Sequence, residues 1–148
     1  SWRRRDGFAS MNQIDRSKPA TLTSRPIAFG REQKYLFVNA DGSVGVELLR
    51  AGDVIARTSL NATGGSSRQH SAKPTSAPGH TRLMLPLVDL MERSMTLAEL
   101  SNQVLQLRFT LSDGGALFSF WVSASLDGHS GGYVAAGGPA FKGARDTV

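Results

Sequence analysis

The stretch Val104-Leu105-Gln106-Leu107-Arg108-Phe109-Thr110-Leu111 alternates apolar and polar side chains without a break. Leu105, Leu107, Phe109 and Leu111 fall on one face, and Gln106, Arg108 and Thr110 on the other. A period of two is the signature of a half-buried strand. Asp113-Gly114-Gly115 supplies turn chemistry, and Ala116 to Ser123 returns with Phe118, Phe120 and Val122 on one face and Leu117, Ser119 and Trp121 on the other. The pattern predicts a β-hairpin.

The same grammar recurs upstream. Lys34 to Ala40 sets Tyr35, Phe37 and Asn39 against Leu36 and Val38, Asp41-Gly42 turns the chain, and Val44, Val46 and Leu48 share a face on the way back to Arg50. Ala51-Gly52-Asp53 makes a further tight turn before a strand from Val54 to Ser59. Thr21 to Phe29 and Arg82 to Val88 also read as strands, with Pro26 and Pro86 placing them at an edge or a bulge. Helix signal is confined to Thr96-Leu97-Ala98-Glu99, which has capping-box spacing, and Asp89 to Met95 is a candidate extension of it. Short strands with turns every 8 to 12 residues predict an all-β chain, a two-sheet antiparallel β-sandwich of jelly-roll or concanavalin-like kind with one short helical turn. The organisation read from composition is a basic leader over 1–20, a sandwich over 21–125 and a Gly-rich tail over 126–148. Asn61 to Thr81, rich in Ser, Gly, Pro and Thr, reads as a mobile insertion between strands.

The 148 residues fit one domain, and 40% hydrophobic residues are enough for a core. The absence of cysteine removes disulfides, thiolate metal sites and thiol nucleophiles together. No apolar run is long enough for a membrane helix. The net charge of +5 rests on 13 Arg and 4 Lys. Their only cluster is Arg3-Arg4-Arg5, and no recognition helix or stacking platform accompanies it, which points away from nucleic acid. Three arginines without a following apolar region do not make a signal peptide, so Ser1 is expected to follow a cleavage or to lie inside a longer polypeptide.

Gly128-His129-Ser130-Gly131-Gly132 satisfies the G-x-S-x-G pattern, but no His follows Ser130 and a glycine-rich tail stands where the nucleophile elbow needs a helix. His70, His80 and His129 make no metal-binding spacing, and no cofactor is implied. Among the carboxylates, Asp41, Asp53 and Asp113 read as turn residues and Glu99 as a cap. Glu47 lies on a strand, facing either solvent or a groove, and no catalytic pair can be nominated. Tyr35, Trp121 and Tyr133 are candidates for stacking on a sugar ring, although a Trp on a central strand is more often core or interdomain contact. Asn61-Ala62-Thr63 is an N-glycosylation triplet at the edge of the insertion, which makes Asn61 a candidate acceptor.

In order, the chain presents Arg5-Asp6-Gly7-Phe8-Ala9-Ser10-Met11, Leu22-Thr23-Ser24-Arg25-Pro26-Ile27, Lys34-Tyr35-Leu36-Phe37-Val38-Asn39-Ala40 and Val46-Glu47-Leu48-Leu49. Val104-Leu105-Gln106-Leu107-Arg108-Phe109 and Leu117-Phe118-Ser119-Phe120-Trp121 follow, and the tail carries Gly132-Tyr133-Val134-Ala135-Ala136-Gly137-Gly138-Pro139. This series resembles the C-terminal β-sandwich that follows a five-bladed propeller in glycoside-hydrolase-like proteins of the invertase and arabinanase kind. It departs from them in the Ser/Pro-rich 61–81 segment and in lacking a Trp near the end of the Arg82 strand. The family's catalytic carboxylates sit in the propeller, so the resemblance carries no catalytic residue onto this chain. It implies a non-catalytic accessory sandwich packed on an upstream propeller domain or on an oligomer mate, with Trp2 and Phe8 as docking contacts. A freestanding carbohydrate-binding module with an oligo- or polysaccharide ligand, and a structural subunit of a larger assembly, remain the alternatives.

Overall fold

A computed structural model describes residues 2–5, 8–61, 81–129 and 146–147. The strands are β1 (Trp2–Arg5), β2 (Phe8–Asn12), β3 (Ala20–Thr23), β4 (Ile27–Ala28), β5 (Tyr35–Arg50), β6 (Asp53–Asn61), β7 (Thr81–Leu85), β8 (Leu87–Asp89), β9 (Ser94–Met95), β10 (Val104–Ser123) and β11 (Asp146–Thr147). The single helical element among the described residues is a 3-10 turn over Leu97–Leu100, as the capping-box spacing anticipates. The Thr96 backbone N–H donates to the Glu99 carboxylate at 2.7 Å. The fold is therefore all-β, and among the described residues no helix is long and apolar enough to cross a membrane.

Neither expected hairpin around an Asp-Gly turn forms. Tyr35–Arg50 is one strand of 16 residues and Val104–Ser123 one of 20, and the two pair antiparallel along almost their whole length, from Gln106 opposite Leu49 to Ser123 opposite Tyr35. The turn chemistry of each is spent on a bend. At the bend Ser112 pairs Ser43 and Ala116 pairs Asp41, so Asp113, Gly114 and Gly115 stand opposite Gly42 alone. Gly42, Asp113 and Gly114 take φ of +69°, +55° and +76°. The backbones meet so closely that a Cβ on Gly115 would lie 2.8 Å from the Ser43 carbonyl oxygen. The Ser43 hydroxyl donates to Asp113 at 2.9 Å across the bend.

The bend divides one connected sheet into two layers. In the first, β3, the N-terminal half of β10, the C-terminal half of β5, β6, β8 and β9 lie side by side. In the second, β1, β2, the C-terminal half of β10, the N-terminal half of β5 and β7 do so. The sandwich is thus built from a single hydrogen-bonded network rather than from two separate sheets. The described pairs are antiparallel except for β11, which runs parallel to β4.

The core lies between the layers. Leu36, Val38 and Ala40 from one half of β5 meet Val44, Val46 and Leu48 from the other, with Leu105, Leu107, Phe109 and Leu111 of β10 beside them. A bulge between Leu117 and Ser119 corrects the expected facing of β10. The extra residue, Phe118, lets Leu117 join Phe120 and Val122 on the core side, where strict alternation would set Leu117 apart from them.

The leader and the prolines also take definite places. β1 and β2 form a hairpin that extends the second layer, and Met11 is buried in the core. Gln13 clamps the bend: its side chain donates to the Lys18 carbonyl at 2.9 Å and accepts from the Gly114 N–H at 2.7 Å. Pro86 breaks the expected Arg82–Val88 strand, so β7 stays in the second layer and β8 crosses to the first. Thr21–Phe29 is likewise interrupted around Pro26. Asp89 to Met95 does not lengthen the helical turn. Asp89 instead accepts the Met91 and Arg93 N–H groups and closes the connection between β8 and β9.

Candidate functional site

Alternation on β5 sends Val44, Val46 and Leu48 inward and Gly45 and Glu47 outward. Register then decides the neighbours of Glu47. On the outer face of the first layer Arg57 of β6, Glu47 of β5, Arg108 of β10 and Thr23 of β3 stand in one row. The next row is Ser59, Gly45, Thr110 and Thr21. The Arg108 Nε donates to Glu47 at 2.6 Å, with the two side chains 38% and 34% exposed. Arg57, exposed on the other flank, makes no ion pair or hydrogen bond among the described residues.

Gly45 leaves the centre of this face without a side chain. A Cβ there would meet nothing nearer than Thr110 Cβ at 3.8 Å. The dent so formed is an open groove of about 400 Å³, floored by Gly45 and walled by Glu47, Arg57, Ser59, Thr110, Pro86 and Val88. It offers one carboxylate, the Arg57 guanidinium and the hydroxyls of Ser59 and Thr110 beside an apolar wall, with Arg108 outside the lining and bonded to Glu47. The strand carboxylate that the sequence left between solvent and groove thus faces the groove. The Glu47 oxygen nearest Arg108 is committed to that guanidinium, and the arrangement is suited to holding a polar ligand.

The aromatic candidates lie on the opposite outside of the sandwich. Tyr35 pairs Ser123 and Phe37 pairs Trp121, so Tyr35 and Trp121 are diagonal neighbours facing away from the core. The Trp121 ring stacks on Phe37 with centroids 5.4 Å apart and planes 12° from parallel. Its indole N–H donates to the Gly128 carbonyl at 2.9 Å. Trp121 is half-buried and Phe37 is 1% exposed, so this outer face carries a second small apolar cluster. Tyr133 lies outside the described residues.

The turn after β10 is tied together by polar contacts. The Ser123 hydroxyl donates to the His129 carbonyl at 2.7 Å, and the His129 imidazole sits 3.0 Å from Asp127. The Ser125 hydroxyl also donates to Asp127. That bond, helped by the His129 backbone N–H and imidazole, brings the Asp127 carboxyl down to about 2. The serine bonds the carboxylate and not the imidazole, so these three side chains do not form a nucleophilic triad. Ser130, His70 and His80 lie outside the described residues. Asn61 ends β6 opposite Ser43, while Thr63 of its triplet lies outside the described residues. Trp2 and Phe8 stand on β1 and β2, and their side chains lie outside what is described.

Sequence reading found Glu47 but not its flanking arginines. Arg57 and Arg108 stand 51 residues apart in the chain, and only the pairing of β6, β5 and β10 brings them to one row. No family model matches the chain, and neither does any curated protein or solved structure.

Proposed function

We propose that this chain is a non-catalytic accessory β-sandwich of a glycoside-hydrolase-like protein, packing on or supporting a propeller domain that acts on glycosidic bonds. The observation that carries the reading is positional. The segments that resemble that family occupy the strands of one sandwich in the order the resemblance requires. Leu22 and Thr23 are on β3, Tyr35 to Ala40 and Val46 to Leu49 on β5, and Val104 to Phe109 and Leu117 to Trp121 on β10. Of the Arg5–Met11 segment, Arg5 ends β1 and Phe8 to Met11 lie on β2, at the end of the sheet, where an upstream domain would join. Sequencing the transcript upstream of the Ser1 codon tests the reading. An open frame encoding repeated four-strand blades with acidic residues is expected, and a start codon directly upstream would overturn it.

The groove over Gly45 favours a second reading, that the module binds carbohydrate itself. An apolar-walled groove with a few convergent polar groups is a usual setting for a small ligand, and here those groups are Glu47, Arg57, Ser59 and Thr110.

A further inference from the structure

The groove has an uneven charge inventory. Glu47 and Arg108 neutralise each other at 2.6 Å, and Arg57, on the other flank of Glu47, has no ion-pair partner among the described residues. A site for a neutral sugar would be complete with the ion pair and the hydroxyls of Ser59 and Thr110. The Arg57 guanidinium at the wall adds a planar donor fork, the group best matched to a carboxylate. Val88, directly across from Arg57 on β8, and Pro86 give an apolar surface for the carbon face of a ring. A volume of about 400 Å³ accommodates one or two sugar rings. A nucleic-acid strand calls for a track of cations with stacking aromatics, and among the described residues the groove wall carries Arg57 as its one cation and no aromatic ring.

We propose that this groove binds an acidic sugar, a uronate unit of an oligo- or polysaccharide. The uronate carboxylate lies on Arg57 and the ring hydroxyls are shared among Glu47, Ser59 and Thr110. The inference rests on the carbohydrate-binding reading and is independent of any upstream propeller.

Titration calorimetry of the whole chain with trigalacturonate, a neutral galactose trisaccharide and sodium acetate tests it. Trigalacturonate is expected to bind at least about tenfold more tightly than the neutral sugar, and to weaken as salt is raised. Acetate alone is expected not to compete at equal concentration. Arg57→Gln is expected to abolish the preference with an unchanged melting temperature, because the side chain is exposed. Equal binding of the two trisaccharides, or a preference that survives Arg57→Gln, overturns the uronate assignment and leaves the carbohydrate reading standing. Competition by acetate as strong as by trigalacturonate reduces the groove to a simple anion site and overturns it too. Binding of neither sugar removes both readings of the groove.

Discussion

Phe109 and Phe120 belong to the same strand, yet their ring centroids are 4.9 Å apart. Eleven residues of extended chain span about 36 Å, so contact between these rings requires β10 to double over. The halves of β10 do not pair with each other, since each is hydrogen-bonded to β5. The two rings therefore touch across the sandwich core and report directly on the bend.

That contact is measurable. Phe109→Leu and Phe120→Leu are each expected to cost about 1–2 kcal/mol in urea unfolding. The double variant should fall short of the sum, with a coupling of about 0.5–1.5 kcal/mol. Additivity within about 0.3 kcal/mol would mean that the rings do not meet.

The bend sets its own requirement on glycine. In Gly42→Ala the new Cβ would meet Gly115 Cα at 2.8 Å on a residue with φ of +69°. This variant and Gly115→Ala are each expected to lose about 2 kcal/mol or more. Gly45→Ala, whose Cβ meets only Thr110 at 3.8 Å, should change stability by less than about 0.5 kcal/mol. Gln13→Leu should cost about 1–3 kcal/mol, because it strips partners from the Gly114 N–H and the Lys18 carbonyl. Thermal melts of the four variants give the comparison, and equal losses at Gly42, Gly45 and Gly115 would contradict the bend geometry.

The turn joining β5 to β6 leaves room for improvement. Ala51 and Gly52 have φ of +52° and +93°, the pattern of a type I′ turn with Arg50 and Asp53 paired across it. Alanine is poorly suited to the first of these positions. Ala51→Asn is expected to raise stability by about 0.5–1 kcal/mol, read as a rise in melting temperature. A drop would show that Ala51 does not hold a left-handed conformation in solution.

Acid should open the turn beside Trp121. The Asp127 carboxyl is brought to about 2, below its ordinary value of 3.8, by the Ser125 hydroxyl first and the His129 backbone N–H next. Because the folded value is the lower one, the turn's stabilisation is fully present above the unfolded value and is lost as pH falls through about 2. In a Trp2→Phe background, Trp121 emission reports the change, since its N–H is bonded to Gly128 in that turn. A red shift is expected between pH 4 and pH 2, and Asp127→Asn should show the shifted emission already at neutral pH. The same acid step in Asp127→Asn would assign it to another group.

The strands were legible because alternation is local. Val104 to Leu111 announces its buried face through side chains two residues apart, and Ala51-Gly52 announces its turn through two adjacent residues. Asp41-Gly42 and Asp113-Gly114-Gly115 carry the same turn chemistry, but here it serves a bend. Their alternative, a pair of hairpins, was set aside by pairing between β5 and β10, whose partners Glu47 and Arg108 are 61 residues apart in the chain. Leu117 departs from its expected face for a related reason, because one extra residue at Phe118 shifts the alternation and leaves no mark in composition. The groove depends wholly on cross-strand register. Glu47 reads as facing either solvent or a groove, whereas Arg57 and Arg108 are far apart in the chain and only the pairing of β6 and β10 with β5 sets them beside it.

A continuous backbone through both layers also has a mechanical meaning. β2 grips β10 at Ala116 and Leu117, and the same strand carries Arg108 in the other layer. Among the described residues the layers have no seam along which they can part without breaking β5 and β10 themselves. A load applied at the β1–β2 end passes through the hydrogen bonds at Ala116 and Leu117 and then along the β10 backbone to the face that bears Arg108. The β1–β2 end and the groove are thus linked through one bent strand that runs through both layers.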